Sequence, residues 1–220
     1  MPGRLTIGLY NSYDARKFHE AHRRALVRAA PLALAYGANL CTFGFPYQDL
    51  ADNGGKVAEN RGKGAEARRG EAAAGETVSL RTPVDVARYV AGSTSVEGGQ
   101  HFVDLAEKGR FNVFDLPEKG FPPQLGTPVL TTEHAKCPKD TSARQVARDL
   151  VDGRSQLLIF GLGPTGTPPE VRQMCQWELD ITSGQNIGLE TATALGAVVA
   201  AIYAHVEAIE AAPRRPPHRA

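Results

Sequence analysis

Leu157-Leu158-Ile159-Phe160-Gly161-Leu162-Gly163-Pro164-Thr165-Gly166-Thr167-Pro168-Pro169 is an apolar run that ends abruptly in glycine and proline. Four large apolar residues bounded by turn formers read as a buried strand, and the glycine-proline stretch after them reads as a loop. A second apolar run comes at 177–181, and Thr182-Ser183-Gly184-Gln185-Asn186-Ile187-Gly188-Leu189 then opens a long alanine-rich helix. Two strand ends thus deliver small-residue loops to one sheet edge, where bare backbone N–H groups and helix N-termini receive ligands. Gly161, Gly163 and Gly166 have G-x-G-x-x-G spacing, which invites a dinucleotide reading. Pro164 sits inside that loop, however, and Pro168-Pro169 delay the next helix to about Glu170. The fingerprint needs its last glycine inside a helix that starts at once.

A different pattern covers the stretch more fully. Phe160-Gly161 through Gly166 to Glu170-Val171 resembles the FG-x-E-x-x-G-L-P-x-E loop of the SPOUT (trefoil-knotted) RNA methyltransferases. The second half resembles the last motif of the same superfamily: a strand, a small polar loop with Gly184, a helix start at Leu189-Glu190-Thr191, and an alanine-rich helix. Leu162-Gly163 replaces the usual polar-acidic pair, and Glu190 lies where a ribose-methylating member carries Asn. The chain is similar to an archaeal-looking branch of that superfamily. The resemblance implies a mainly parallel α/β sheet with helices on both faces and a C-terminal trefoil knot. It also implies S-adenosylmethionine as cofactor, an RNA substrate (tRNA or rRNA) and a homodimer.

Composition sets outer limits. With 220 residues the chain can bury one large core. We expect a single α/β domain over 1–211, an insertion at about 47–81 and a disordered basic tail at 212–220. Charge is balanced, 25 Lys+Arg against 24 Asp+Glu, so RNA contacts must come from local basic patches. Cys41, Cys137 and Cys175 lack metal or disulfide spacing; neither a zinc site nor a disulfide framework is indicated, and a reducing cytoplasm fits. No apolar signal region precedes the first strand, and the apolar run within 191–204 is too short to span a bilayer. A soluble protein without membrane contact is expected.

In chain order, residues 5–10 read as a first strand, Asn11 to Asp14 as cap chemistry, and 15–36 as a helix that Pro31 kinks or breaks and Gly37 closes. Residues 39–45 read as a strand. The Gly- and Ala-rich, charge-alternating stretch 47–81 reads as a mobile insertion. Thr82-Pro83 caps a helix over 84–91 and another spans 98–108. Strands at 111–116 and 129–132 are separate and form no tight hairpin, and a helix from Thr141-Ser142 runs to Leu150. Strands alternating with helices imply a mainly parallel sheet.

The cofactor site implied by the resemblance combines the first loop (Phe160, Gly161, Leu162, Gly163, Gly166), the second (Ile181, Thr182, Ser183, Gly184, Ile187, Leu189) and the preceding strand end (Thr131, Thr132). Phe160, Leu162, Ile181, Ile187 and Leu189 can wall an adenine ring. His22 to Ala30 resembles the first motif, N-x-G-A-x-x-R-x-A, with Arg28 on its arginine and His22 on its asparagine; Arg24 or Arg23 is an alternative occupant. A guanidinium there would steer acceptor phosphate, whereas the plain reading of the run is a solvated basic face. Asn11 is a helix cap or an acceptor-positioning amide, the former being the commoner role. Glu133 or His134, at a predicted strand end, and Glu190 are candidate general bases, although such strand-end residues are more often exposed loop polars and an acid in a first helical turn also needs no catalytic explanation. The helix over 189–208 is apolar almost all round, which leaves a face at Leu195, Val199 and Ile202 for a second subunit. Two other readings stand beside this one: a NAD-binding oxidoreductase with Asp180 on the ribose, and a non-catalytic RNA-binding module with a decayed pocket.

Overall fold

The computed structural model describes residues 2–47, 82–135, 139–163 and 166–212. The expected insertion beyond residue 47 and the tail beyond residue 212 lie outside them. Seven strands form one sheet: β1 Leu5–Asn11, β2 Asn39–Phe43, β3 Phe111–Phe114, β4 Thr127–Thr131, β5 Asp140–Thr141, β6 Gln156–Leu162 and β7 Trp177–Leu179. Their order is β3-β2-β1-β6-β4-β7-β5, with every pairing parallel. Six α-helices accompany them among the described residues: α1 Glu20–Ala35, α2 Pro83–Ser93, α3 Gly99–Glu107, α4 Ala143–Val151, α5 Pro169–Met174 and α6 Thr191–Ala211. The two-residue β5 at the sheet edge was not foreseen.

Side-chain alternation divides the core into two layers. Leu5, Ile7, Leu9, Leu40, Leu158 and Phe160 point to one face and pack against α1–α4 and α6. Tyr10, Cys41, Phe43, Leu130, Leu157 and Ile159 point to the other, which Val171 of α5, Leu125 and the rings of Phe114 and Phe121 cover. The central strands β1 and β6 are buried on both faces, so their sequences read as unbroken apolar runs.

Three local outcomes differ from expectation. Helix α1 begins at Glu20 rather than Ala15, because the Asp14 carboxylate accepts from the backbone N–H groups of Arg16 (2.7 Å) and Lys17 (3.3 Å) and holds them in a loop. The same helix runs through Pro31 to Ala35 and closes at Gly37, whose φ of 64° suits glycine. Leu195, Val199 and Ile202 are fully buried within the chain, packed in the core that α6 shares with α4 and α1. They therefore cannot be a subunit face, and the outward face of α6 carries Ala197, Ala200 and Ala204 instead.

Helix α6 also outruns the apolar segment taken as too short for a bilayer. At 21 residues it is long and apolar enough to cross one by length and composition, yet Leu195, Val198, Val199 and Ile202 join it to the core. A soluble protein's core helix meets the same criterion.

Candidate functional site

Because the sheet is parallel, β1, β4, β6 and β7 all end at one edge, the edge at which open α/β sheets bind ligands. There the loops after β4, β6 and β7 and the start of α6 enclose a cavity of about 510 Å³. Ten of the thirteen residues expected at the cofactor line it: Thr131, Thr132, Phe160, Gly161, Gly163, Gly166, Ile181, Thr182, Ile187 and Leu189. Leu162 faces a neighbouring cavity, and Ser183 and Gly184 shape the turn behind the wall.

Close packing explains the glycines of the first loop. A Cβ at Gly161 would stand 2.7 Å from Thr167 Oγ1, and one at Gly163 would stand 2.7 Å from the Ser12 carbonyl oxygen. Gly166 has room for a side chain but a φ of 67°. Thr191 Oγ1 donates to the Gly161 carbonyl at 3.3 Å, tying α6 to the end of β6. In the second loop Asp180 is the organiser. It accepts from Thr182 N–H (2.7 Å), Thr182 Oγ1 (2.6 Å) and Gly184 N–H (2.7 Å), which holds a turn with Ser183 and Gly184 at positive φ. Burial pushes the Asp180 carboxyl up, but these hydrogen bonds prevail and hold it below the usual carboxylate range.

Arg172, absent from the sequence expectations, joins the loops. Its guanidinium donates to Glu178 Oε2 (2.8 Å), the His134 carbonyl (3.1 Å) and Thr132 Oγ1 (3.2 Å). It thereby connects α5 to the ends of β4 and β7. His134 in turn contacts Glu133 at 3.4 Å and Asn186 at 2.8 Å. The wall carries the carboxylates of Glu133, Asp180 and Glu190 against the single guanidinium of Arg172, already engaged with Glu178. Among the described residues its lining is net negative and suits a cation.

A second cavity of about 350 Å³ adjoins the first through the shared residues Glu190 and Thr191, and Glu20, Arg24, Arg28 and Leu162 are among its other walls. Glu190 caps α6, its Oε2 accepting from Ala192 N–H (2.9 Å) and Thr193 N–H (3.3 Å), while Oε1 lies 3.5 Å from Arg28. Arg24 pairs with Glu20 at 3.4 Å and Ser95 at 3.4 Å. Arg23 also pairs with Glu20 (3.3 Å) and lies 5.6 Å from the Phe18 ring centre. Of the three arginines, Arg28 alone meets the shared wall. Burial and neighbouring His19 push His22 down to about 4, so it is neutral. Its Nδ1 accepts from His19 N–H (3.0 Å) and its Nε2 bonds Asn11 Oδ1 (3.1 Å), and the ring is fully buried away from both cavities. Asn11 caps no helix; it fastens the β1–α1 loop.

The dinucleotide reading loses its supports. Gly166 lies three residues before a six-residue helix, and both Asp180 oxygens are occupied by their own loop. An adequate sequence signal for the second loop was present: an acid two residues before Thr182 and four before Gly184 is Asx-turn chemistry. Nothing local marked Arg172, whose partners are 6 to 40 residues away.

Residues 5–203 match the family described as "Protein of unknown function (DUF531)", and the chain belongs to that family. The uncharacterized protein MJ0224 of Methanocaldococcus jannaschii is 29% identical over 208 residues, spanning 94% of this chain and 97% of that protein. The fold is shared with a probable methylase family protein from Haemophilus influenzae Rd KW20, with a TM-score of 0.54 and 13% identity over 99% of this chain and 74% of that one. It is shared likewise with a probable methyltransferase from Bordetella pertussis Tohama I, with a TM-score of 0.53 and 15% identity over 93% and 96% of the two chains.

Proposed function

We propose that this chain is an S-adenosylmethionine-dependent RNA methyltransferase of an archaeal-type branch of the SPOUT superfamily, with its C-terminal trefoil knot, acting as a cytoplasmic homodimer. The observation that carries the reading is the pair of adjoining cavities at the C-terminal sheet edge. One has a net acidic wall, the other holds Arg24 and Arg28 beside Glu20, and Glu190 belongs to both. Of the stretches that carry the motif resemblance, 160–171 and 189–191, the residues Phe160, Gly161, Gly163, Gly166, Thr167, Leu189, Glu190 and Thr191 line the first of these cavities. The solved proteins of this fold described as a methylase and a methyltransferase point the same way.

The residues fit the cofactor. A cavity of about 510 Å³ lies within the range of about 300–1,000 Å³ typical of small-molecule sites. Leu130, Phe160, Leu179 and Ile187 give it apolar surface for an adenine, and Glu133, Asp180 and Glu190 favour a cationic group over a pyrophosphate. The cofactor supplies a methyl group on a sulfonium, which an acceptor lone pair takes. The chain's part is chiefly positioning, which supplies effective molarities of about 10⁵ M or more. Arg28 would hold an acceptor phosphate from the second cavity, and Glu133 or Glu190 would take the proton the acceptor sheds. The homodimer would use the outward face of α6, and sedimentation at micromolar concentration tests it: a monomer would contradict that part.

The test is transfer of labelled methyl groups from S-adenosylmethionine to RNA by wild type and by Arg23→Ala, Arg24→Ala and Arg28→Ala. Arg28→Ala is expected to lose about 10²–10⁴-fold in transfer rate while cofactor affinity stays within a few-fold. Equal methylation by all three variants and wild type would remove the acceptor from the second cavity.

A further inference from the structure

The loop between β1 and α1 presents an exposed tyrosine on an unusually constrained frame. Tyr13 is 49% exposed, yet the backbone beneath it is fixed from several sides. Asn11, itself buried, accepts at Oδ1 from Tyr13 N–H (3.1 Å) and Asp14 N–H (3.3 Å) and donates from Nδ2 to the carbonyls of Asp14 (2.7 Å) and Gly44 (2.8 Å). Asp14 fixes the following turn by accepting from Arg16 and Lys17 N–H, and its second oxygen bonds His19 Nε2 at 2.8 Å. The hydrogen bond from His19 comes first among the causes that hold the Asp14 carboxyl down at about 2. The rings of His19 and His22 stand edge-on to Tyr13 at 5.4 and 5.8 Å.

Position gives the frame its meaning. Ser12 N–H donates to the Leu162 carbonyl at 3.2 Å, and the Ser12 carbonyl abuts Gly163. Leu162 belongs to the second cavity and Gly163 to the first, so Ser12 fastens this loop to the β6 end that contributes to both cavities, and Tyr13 is the next residue along the chain. Arg16 and Lys17, both exposed, follow it three and four residues on in the same loop. A lone exposed aromatic is ordinary. A rigid one, with two exposed cations on the same loop and that loop fastened to the strand end that lines both cavities, is what single-stranded nucleic acid requires: a flat face for a base and positive charge for its phosphates.

We infer that the β1–α1 loop is a preorganised stacking platform for an unpaired nucleobase, with Tyr13 as the stacking face and Arg16 and Lys17 as phosphate contacts. The inference rests on the proposed RNA substrate and narrows it: the acceptor nucleotide is single-stranded or flipped out, not held in an intact duplex. No hydrogen-bond reading of the base is involved, so the platform is tolerant of sequence.

Fluorescence anisotropy with a labelled single-stranded oligoribonucleotide and its duplex form tests it on the full chain. Wild type is expected to bind the single strand more tightly than the duplex. Tyr13→Ala should weaken single-strand binding by about 5- to 150-fold, with Tyr13→Phe near wild type and the thermal melt unchanged in both. Arg16→Ala with Lys17→Ala should flatten the slope of log affinity against log salt by about 1.4, two contacts at about 0.7 each. Calorimetry on Tyr13→Ala should give wild-type S-adenosylmethionine affinity. Single-strand binding by Tyr13→Ala equal to wild type overturns the platform, as does a wild-type preference for duplex or failure to bind either form. If wild type fails to bind S-adenosylmethionine but keeps Tyr13-dependent single-strand binding, the enzyme reading falls and the platform stands.

Discussion

Replacing Arg172 with alanine should both destabilise the chain and loosen the cavity proposed for the cofactor. Arg172 donates at 2.8 Å to Glu178, whose side chain is 1% exposed, while the arginine side chain is 25% exposed. Removing one partner of a buried ion pair costs about 3–5 kcal/mol. Water that reaches the vacated, partly exposed guanidinium position offsets some of this, so the lower end, about 3 kcal/mol, applies. In a chain of this size 1 kcal/mol shifts Tm by about 2–4 °C, so the loss should be about 6–12 °C. Circular-dichroism melts read it directly. Adding Glu178→Gln to Arg172→Ala should restore a good part, because the buried carboxylate that lost this guanidinium is neutralised. Cofactor affinity should fall as well, since the same guanidinium holds Thr132 and the His134 carbonyl. A Tm within about 2 °C of wild type for Arg172→Ala would refute the reasoning.

Two further outcomes rest on the same geometry. Gly166→Val places a β-branched residue at a φ of 67°, at a cost of about 1–2 kcal/mol; the loop should re-route, abolishing S-adenosylmethionine binding with a Tm loss of only a few degrees, and undiminished binding would contradict its place in the wall. His22, held neutral by burial and by His19 with its titration near 4 instead of 6.5, stabilises the fold fully above pH 6.5. That contribution, about 3 kcal/mol, should drain away as pH falls from 6.5 toward 4, because only the unfolded chain takes up the proton there. Denaturant unfolding across that window should show the slope, and its persistence in His22→Gln would assign it to another group.

Much of this was legible from residue pattern. The unbroken apolar runs of β1 and β6 announce strands covered on both faces, and the clustered glycines after β6 and β7 announce loops at the ligand edge. Helix α1 starts late because the side chains of Asn11 and Asp14 capture backbone amides that a helix would use, a competition that periodicity does not weigh. The all-round apolar α6 was misassigned at Leu195, Val199 and Ile202, since a nearly uniform helix carries no signal for which face turns inward. Arg172 was missed because its role exists only once β4, α5 and β7 are brought together. The neighbouring second cavity needed α1 placed against the start of α6, a juxtaposition of residues more than 150 positions apart.

The central claim is that the acidic cavity at the ends of β4, β6 and β7 holds S-adenosylmethionine, and isothermal titration calorimetry of the purified chain with S-adenosylmethionine, S-adenosylhomocysteine and NAD tests it most directly. Saturable one-site binding of the first two, lost in Gly166→Val, and no heat from NAD is the predicted result. Binding of NAD, or of none of the three, would contradict it.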